Sequence, residues 1–318
     1  MHRQQSAAEY LAHGQIPFFR LPVAPLAAGL PPGTGAALLG VPFDGGATYR
    51  PGARLAPWEV RRASALLQGH HAGHGLDPLA RLAAVDAGNV VFPPFDAAAV
   101  RAAVEASVGA VLAAGAVPFV VGGDHSVALP ALRAVAARHG PVAVLHVDAH
   151  LDTSGPEVWG DAWHHGTPLR HALEERLVAP GQLHQVGLRG PLGGPGDLAV
   201  GAAHGARVHG ADEVAERGVR AVVHEILSAV GDLPLYLTFD VDAVDPAFAP
   251  GTGTPVPGGL TSREALQLVR SLAGTRLVGM DVVEVCPPFD HADATSQLAA
   301  HLLFEGLAVA ALARGPRG

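Results

Sequence analysis

The chain contains no lysine, so arginine supplies all 21 of its basic residues. Without lysine, no side chain can form a Schiff base with a substrate or with pyridoxal phosphate, and a phosphate-binding loop of the Walker type is excluded. Cysteine is nearly absent as well, because Cys286 is the only one. An intrachain disulfide is therefore impossible, and a reducing cytoplasm is the expected compartment.

Positive charge is also scarce. The 318 residues carry a net charge of −8, and no run of basic residues interrupts the sequence. Contacts to phosphate backbones need clustered positive charge, so nucleic acid is not an expected partner, whereas a small cationic substrate suits this balance. Residues 1–10 lack the apolar core of a signal peptide, and no uninterrupted apolar stretch reaches bilayer length, so we expect no membrane contact.

Polar residues follow directly after the apolar run Val142–Val147. Asp148, His150 and Asp152 occupy alternate positions there. The run is too short for a helix and is typical of a buried strand, and alternate side chains of an extended backbone point to the same side. The spacing therefore predicts that the three side chains converge on one point at the C-terminal end of the strand.

Two other predicted strands end in the same manner. Residues 117–121 run into a Gly-Gly-Asp-His segment that contains His125, and residues 235–239 run into Asp240 and Asp242. One such motif can be an ordinary polar strand end, but three indicate a shared site.

Strands and helices alternate along the sequence. Strands are predicted at residues 35–43, 82–85, 117–121, 142–147, 185–188, 235–239 and 276–283, and the longer helices at 96–115, 126–139, 168–178, 219–230 and 298–312. Several strands are continuously apolar, which is typical of a parallel sheet covered on both faces. We predict a single three-layer α/β/α domain over residues 35–318, with its site at the C-terminal edge of the strands. The irregular proline- and glycine-rich arm at 1–34 is expected to pack on a neighbouring subunit.

The predicted ligands are two imidazoles and four carboxylates: His125, His150, Asp148, Asp152, Asp240 and Asp242. Six groups are too many for one ion but suit two divalent ions about 3.5 Å apart that share two bridging carboxylates. Asp148 and Asp240 are the predicted bridges. Ligation mainly by oxygen, without a thiolate, favours a hard ion such as Mn²⁺ over Zn²⁺. Two such ions turn a water into a nucleophile near neutral pH.

The three motifs, in this order, resemble those of the ureohydrolases, the family of arginase, agmatinase and related amidinohydrolases. The resemblance covers nearly the whole chain and implies an arginase-like fold that hydrolyses a terminal guanidino group to urea and an amine. It also implies two Mn²⁺ per subunit, a homotrimer or homohexamer, and a division of ligands that the spacing does not give. By that division, one ion is held by His125 and Asp152, the other by His150 and Asp242, and both by Asp148 and Asp240.

Two further segments resemble those of the family. His165, followed by Gly-Thr-Pro, resembles the histidine that shuttles protons, and Glu284 resembles the glutamate that grips the guanidinium. The resemblance thus implies catalytic roles for both residues. Asp152 is expected to orient the attacking nucleophile in addition to binding metal.

The resemblance is nearest to agmatinases and guanidino-acid hydrolases. Arginases carry, after the central motif, an asparagine that binds the amino-acid head of the substrate, whereas this chain continues with Thr153. The tail of the substrate is instead expected to meet the loop that ends at His164. Its acidic and aromatic residues suit the cationic tail of agmatine: Glu157, Trp159, Asp161 and Trp163.

The absence of arginine between Asp152 and His165 favours agmatine, hydrolysed to putrescine and urea, over an anionic guanidino acid. Arg50 or Arg54 would reverse this preference by folding over the site. The alternative to an agmatinase is therefore a guanidino-acid hydrolase of the guanidinobutyrase, guanidinopropionase or proclavaminate amidinohydrolase type.

Two functions from other classes stay open. A single-zinc deacylase on a similar sheet would use the Asp-His-Asp strand but would not need His125 and Asp242 as further ligands, so one ion per chain would identify it. An inactive scaffold protein usually loses ligands, and all six are present here.

Three other features are interpreted as structural. The glycine-rich loop at residues 44–54 is expected to support the site. The histidine run at residues 70–74 lies in a polar loop and is expected to be solvated. Cys286 is expected to pack as a small apolar residue.

Overall fold

The computed structural model describes residues 16–194 and 196–314. Its strands are β1 (Ala36–Gly40), β2 (Val85–Asn89), β3 (Val117–Val121), β4 (Val142–Val147), β5 (Val178–Leu188), β6 (Arg207–Gly210), β7 (Leu235–Asp240) and β8 (Leu277–Val283). Its α-helices are α1 (Ala56–Ser64), α2 (Pro78–Leu82), α3 (Ala97–Ala113), α4 (Ala128–His139), α5 (Pro156–Trp159), α6 (Pro168–Glu174), α7 (Ala199–Ala203), α8 (Ala211–Arg217), α9 (Val219–Val230), α10 (Ser262–Arg270) and α11 (Ala294–Ala313).

The eight strands form one sheet in the order β2-β1-β3-β8-β7-β4-β5-β6, and each neighbouring pair is parallel. Along β1, Leu38 packs on one side of the sheet while Ala37 and Leu39 pack on the other. Helices α3, α4 and α6 cover the second side, and α1, α2 and α8 to α11 cover the first. The predicted three-layer architecture with a parallel sheet is therefore confirmed.

The longest helix, α11, lies in the core. Among the described residues it is the one helix whose length and hydropathy would suit a bilayer, and 72% of its most apolar window is buried inside the protein. Polar residues such as Glu305 interrupt its apolar sequence. Burial against the sheet accounts for its composition.

Several predicted boundaries are wrong. Residues 82–85, expected to be a strand, contain the end of α2, because Pro78 starts a helix that Asp77 caps by accepting a hydrogen bond from Ala80. The helix expected to reach Val178 ends at residue 174, and β5 starts at Val178. Strand β6 was not predicted, because its four residues include an arginine and a histidine and form no apolar run.

The described part of the N-terminal arm packs on its own chain. Phe18 and Phe19 are fully buried, and their backbone N–H groups donate to Asp86 and Ser64 at 2.9 Å and 2.8 Å. Arg61 lies over the Phe18 ring and pairs with Asp86. Residues 1–15 lie outside the described ranges, and the contact of the arm with a neighbouring subunit stays a prediction.

The histidine run at residues 70–74 is not fully solvated as expected. His71 is buried, and its Nε2 lies 2.9 Å from Glu305 on α11. Arg270 on α10 also donates to Glu305. Sequence proximity could not reveal this contact, because Glu305 is more than 200 positions away.

We expect Glu305→Gln to lower the free energy of unfolding by about 1–3 kcal/mol at pH 7, the usual range for hydrogen bonds to a charged group. Burial opposes the charge on Glu305, but hydrogen bonds from Arg270 and His71 outweigh it and lower its pKa. The ionised form therefore stabilises the fold above the unfolded pKa of about 4.3, and this contribution is lost as the pH falls through the lower folded pKa. Urea unfolding at several pH values tests this, with exposed Glu216→Gln as control; a difference that persists unchanged at pH 3 would contradict it.

Candidate functional site

The central strands of the sheet end at one edge, and the predicted ligands follow them there. In the order β3-β8-β7-β4 the strands run parallel, so their C-terminal ends lie side by side. His125 follows β3, Asp240 ends β7, and Asp148 follows β4. Every ligand predicted from the sequence lies at this edge, and all except His150 are buried. The fold thus brings together three motifs that are far apart in the chain.

The Asp148 carboxylate lies between the two predicted histidine ligands. Its Oδ1 is 3.2 Å from Nδ1 of His150, and its Oδ2 is 3.1 Å from Nδ1 of His125. Asp152 Oδ2 and Asp240 Oδ2 lie 2.9 Å and 3.4 Å from the same nitrogen of His125. One carboxylate oxygen on each side is the arrangement that a bridge between two ions requires.

The second histidine has a carboxylate of its own. His150 Nδ1 is 3.1 Å from Asp242 Oδ2. Ligand atoms of Asp148, His150 and Asp242 lie within 4.8 Å of one another, and Asp148 also belongs to a second such group with His125 and Asp152. The family resemblance implies the same two pairs, and their roles as metal ligands stay a prediction.

The donor set fits divalent cations. His125 Nδ1 is buried and has no hydrogen-bond partner among the described residues, although three carboxylates face it. Burial and repulsion from neighbouring carboxylates hold the pKa of Asp240 well above its usual range and raise the pKa of Asp242. Cations would relieve both effects, because a neutral imidazole nitrogen is a metal ligand and positive charge offsets the repulsion.

His146 is a member of the cluster that the sequence reasoning missed. It is fully buried on β4, with Nε2 2.8 Å from Asp148 Oδ2. The side-chain amide of Gln185 donates to its Nδ1 at 3.0 Å, which leaves the ring proton on Nε2. His146 therefore donates to the carboxylate between the two groups and orients it. Strand alternation was the available signal, because residues 146, 148 and 150 share one side.

The glycine-rich loop between β1 and α1 packs on the end of β3. A Cβ atom on Gly123 would lie 1.5 Å from the carbonyl oxygen of Phe43, so only glycine allows this approach. The N–H of Gly46 donates to Asp124 at 2.7 Å, and its carbonyl oxygen accepts from the N–H of His165 at 3.0 Å. The loop thus supports the site through backbone contacts.

His165 and Glu284 contact each other beside the cluster. His165 Nδ1 is 3.0 Å from Glu284 Oε1, which also accepts a hydrogen bond from the N–H of His125 at 2.8 Å. The other ring nitrogen of His165, Nε2, lies 2.7 Å from the Thr48 hydroxyl. Burial opposes a charge on His165, but the hydrogen bond to Glu284 and the negative charges of Glu284, Asp152 and Asp124 together outweigh it and raise the pKa of His165 to about 9. The ring is therefore protonated at neutral pH and can donate a proton.

Two of the site residues have left-handed backbone conformations. The φ angle is 51° at Asp152 and 62° at Glu284. A residue other than glycine costs about 1–3 kcal/mol in such a conformation, and these outliers occur mostly at functional sites. Glu284 directly follows β8, whereas Asp152 lies five residues after the end of β4.

A cavity of about 400 Å³ opens beside the cluster. Its volume lies in the range of about 300–1,000 Å³ that is usual for sites of small organic ligands. The site residues His150, Asp152, His165 and Asp240 line it. Apolar side chains from the segments after β4 and β5 also line it: Leu151, Val158, Trp159, Pro191 and Leu192.

The charged lining differs in part from the prediction. Glu157 and Trp159 line the cavity as expected, whereas Asp161 and Trp163 do not. Arg170 lines it and was missed, because it comes from α6 rather than from the loop searched for arginine.

Arg170 is already neutralised by carboxylates. It lies 3.3 Å from Glu157 and 2.9 Å from Glu174. Asp197 adds another carboxylate to the lining. Negative charge therefore prevails around the outer part of the cavity.

The two arginines expected to compete for the site lie elsewhere. Arg50 sits over the rings of Tyr49 and Phe289, and Arg54 pairs with Asp44. Neither lines the cavity. Cys286 is buried, and burial and the charge of nearby carboxylates raise its pKa to about 12, so its thiol is not a nucleophile at neutral pH.

Known proteins are similar to this chain in both sequence and architecture. Proclavaminate amidinohydrolase from Streptomyces clavuligerus is 44% identical over 91% of this chain and 91% of its own length. Its solved structure superposes with a TM-score of 0.88 over 94% of this chain and 98% of that one. Guanidinopropionase from Pseudomonas aeruginosa is 44% identical over 96% of this chain and 95% of its own length, and mitochondrial agmatinase from Gallus gallus is 39% identical over 95% and 88%.

The family match spans nearly the whole described chain. The profile of the arginase family matches residues 34–308, a range that contains all three metal motifs, His165 and Glu284. Together with the identities above, this match shows that the chain belongs to the arginase family.

Proposed function

We propose that this arginase-family hydrolase, which cleaves guanidino groups, acts on agmatine with two Mn²⁺ and yields putrescine and urea. The observation that carries the proposal is the Asp148 carboxylate, with one oxygen facing His125 and the other facing His150. A single-zinc deacylase would not need this second group of ligands. An inactive scaffold would not need the cavity that opens beside both groups.

The cluster offers a complete set of ligands for two ions. His125 with Asp152, and His150 with Asp242, would each hold one ion, and Asp148 would contact both. Asp240 lies near the His125 group and would hold metal there, and the family resemblance implies that it would be the second shared carboxylate. When bound, the two ions supply the positive charge that lowers the pKa of water to the neutral range. Ligation by four carboxylates and two imidazoles favours Mn²⁺.

The other steps of the proposed hydrolysis are carried out by side chains of the protein. Glu284 binds the guanidinium through its carboxylate, and Asp152 orients the water that adds to the guanidinium carbon. The bond from that carbon to the alkyl amine then breaks, and the amine leaves with a proton from His165. The water loses both of its protons as urea forms; one restores His165 and the other passes to solvent. Binding of a cation beside Glu284 lowers the pKa of His165 from about 9, because it offsets the charge that raised it. Substrate binding thus makes His165 a stronger acid when the proton is needed.

The charge around the cavity supports a cationic tail. Glu157 and Asp197 line the outer part, and the guanidinium of Arg170 is engaged by Glu157 and Glu174. Trp159 adds an aromatic face, which suits an alkylammonium group. Agmatine carries such a group at the end opposite its guanidinium.

A guanidino acid is the second candidate, and Arg170 is the observation that favours it. An anionic tail could replace Glu157 as the partner of Arg170. The two relatives at 44% identity are named for substrates other than agmatine, which also supports this alternative.

Urea release from the manganese-loaded protein distinguishes these substrates. Agmatine, 4-guanidinobutyrate, 3-guanidinopropionate, arginine and the uncharged-tail analogue butylguanidine should be compared side by side. We expect agmatine to have the highest kcat/KM. A tenfold advantage of guanidinobutyrate, about 1.4 kcal/mol in transition-state binding, would overturn the proposed substrate and leave the reaction type intact.

The Glu157→Gln variant refines that comparison. Glu157 is largely exposed, so its contribution to a cationic tail is about 0.2–1 kcal/mol, or at most about fivefold in kcat/KM for agmatine. Butylguanidine, which has no charge at that end, serves as the matched control and should show no change. An equal loss for both substrates would mean that Glu157 acts on the loop and not on the substrate tail.

We further propose a cytoplasmic homotrimer or homohexamer. The family resemblance supports the assembly, and the buried free thiol of Cys286 is compatible with a reducing compartment. Large apolar side chains such as Phe95 and Trp58 are exposed on the single chain, as is typical of surfaces that subunits cover. A truncation that tests the arm should stop before Ile16, because Phe18 and Phe19 belong to the core.

A further inference from the structure

A chain of buried hydrogen bonds runs from His125 away from the carboxylate cluster. His125 Nε2 lies 2.8 Å from Thr238 Oγ1, and Thr238 Oγ1 donates to Asp281 Oδ1 at 2.6 Å. Tyr236 donates its hydroxyl to the other oxygen of Asp281 at 2.6 Å. All four side chains are buried, three of them fully. This series of hydrogen bonds is closed off from solvent, so these four groups alone decide which of them donates and which accepts.

The direction of the chain follows from its donors. Asp281 receives two hydroxyl donors, one on each oxygen, and acts as their acceptor. Thr238 has one hydroxyl proton, which it gives to Asp281, so its oxygen is left to accept from His125. His125 must then carry its ring proton on Nε2. In the neutral ring, Nδ1 then keeps the lone pair that a cation would take, on the side that faces the carboxylates of the cluster.

This arrangement opposes what the carboxylates would otherwise favour. Three of them have oxygens 2.9–3.4 Å from His125 Nδ1. Such neighbours attract a proton onto Nδ1, and a proton there would compete with a metal ion for the same lone pair. An acceptor behind the ring is needed to hold the proton on the other nitrogen.

We propose that Thr238 and Asp281 are positioning residues that fix the tautomer of His125 and thereby determine the affinity of one of the two cation positions. The inference rests on the proposed function, because it takes His125 as a metal ligand. It concerns residues of β7 and β8 that lie behind the ligand and do not line the cavity. Their effect therefore passes through His125.

The two cation positions differ in this respect. The side chain of His150 is 35% exposed, and among the described residues it has no comparable chain of buried partners. Water can serve the outer nitrogen of an exposed imidazole, whereas the buried ring of His125 depends on Thr238. Loss of the hydrogen bonds behind His125 should therefore weaken metal binding at the His125 position and leave binding at the His150 position unchanged.

Thr238→Val is the direct test, because valine keeps the β-branched shape in the strand and removes the hydroxyl. Manganese binding to the full-length variant should be followed by titration calorimetry, with metal content measured after dialysis. We expect one of the two sites to lose about 10–100-fold in affinity, the range typical of partners that orient a metal ligand. Thr238→Ser, which retains the hydroxyl, should restore wild-type affinity.

Two further variants separate positioning from general stability. Tyr236→Phe removes the far donor and leaves the link from Thr238 to His125, so its effect on metal affinity should be smaller than that of Thr238→Val. Asp281→Asn replaces the acceptor by an amide that also donates, and we expect it to weaken the same site. If Thr238→Val proves unfolded by circular dichroism, Asp281→Asn carries the test.

The outcomes distinguish this inference from the proposed function. Two manganese sites of unchanged affinity in folded Thr238→Val would overturn the inference, as would an equal loss in Thr238→Ser. A wild-type protein that binds no Mn²⁺, or that binds two but releases urea from none of the guanidines, would instead overturn the proposed function.

Discussion

Asp148→Asn is expected to remove both metal ions and to abolish turnover. The carboxylate faces both histidine groups, and an amide offers one oxygen and one N–H₂ group in place of two charged oxygens. Loss of a residue that only orients a ligand typically costs about 10–100-fold, so the loss of a carboxylate shared by two ions should exceed that range. The variant also replaces the charged acceptor of His146 by a neutral amide. Metal content after dialysis and urea release at saturating agmatine measure the two effects.

An exposed aspartate provides the matched control for this substitution. Asp212→Asn on α8 makes the same change of charge away from the site and should keep two ions and full activity. The Asp148 variant should remain folded, because the substitution keeps the shape of the side chain. Wild-type urea release by Asp148→Asn after exhaustive chelation would disprove the two-metal mechanism.

Glu284→Gln is expected to retain its metal but to lose substrate binding. Breaking a buried ion pair by neutralising one partner costs about 3–5 kcal/mol, which corresponds to a fall of about two to four orders of magnitude in kcat/KM. Since the carboxylate also raises the pKa of His165 to about 9, its loss should return that pKa toward the ordinary histidine value. The alkaline limb of the pH profile of kcat/KM should accordingly move to lower pH.

The two variants are informative as a pair. Asp148→Asn should empty the site, whereas Glu284→Gln should leave metal content unchanged, because Glu284 contacts His165 and the backbone of His125. Glu216→Gln on the surface of α8 is the control for the change from glutamate to glutamine. Loss of metal from Glu284→Gln would show that this residue supports the ligands and does not act on the substrate alone.

The proximity of several predicted site residues could be deduced from a local signal, whereas their roles as ligands stay predictions. His125, Asp148 and Asp240 each follow an apolar strand, and parallel strands bring such ends to one edge, so their proximity can be deduced without coordinates. The three-layer architecture follows in the same way from the alternation of apolar strands and helices. Metal identity and number were inferred from the types and number of the donor groups and from the family resemblance, and they stay predictions.

The features that were missed depend on pairing between distant elements. Gln185 meets His146 only because β5 lies next to β4, and Arg170 reaches the cavity only because α6 folds back beside the loop after β4. Burial of His71 depends on Glu305, which lies at the other end of the chain. No local pattern marks these pairings, since each is decided by strand order and helix packing.

The order of the strands also determines when a metal site can exist. β3 and β4 are consecutive in sequence, but β8 and β7 lie between them in the sheet. A nascent chain that ends before residue 235 therefore carries the ligands of the first two motifs without the strands that set their separation. Contacts between such distant segments form late in folding. Metal ions that bind this site would therefore bind after these strands have assembled, and they would stabilise the native state as any ligand of the folded chain does.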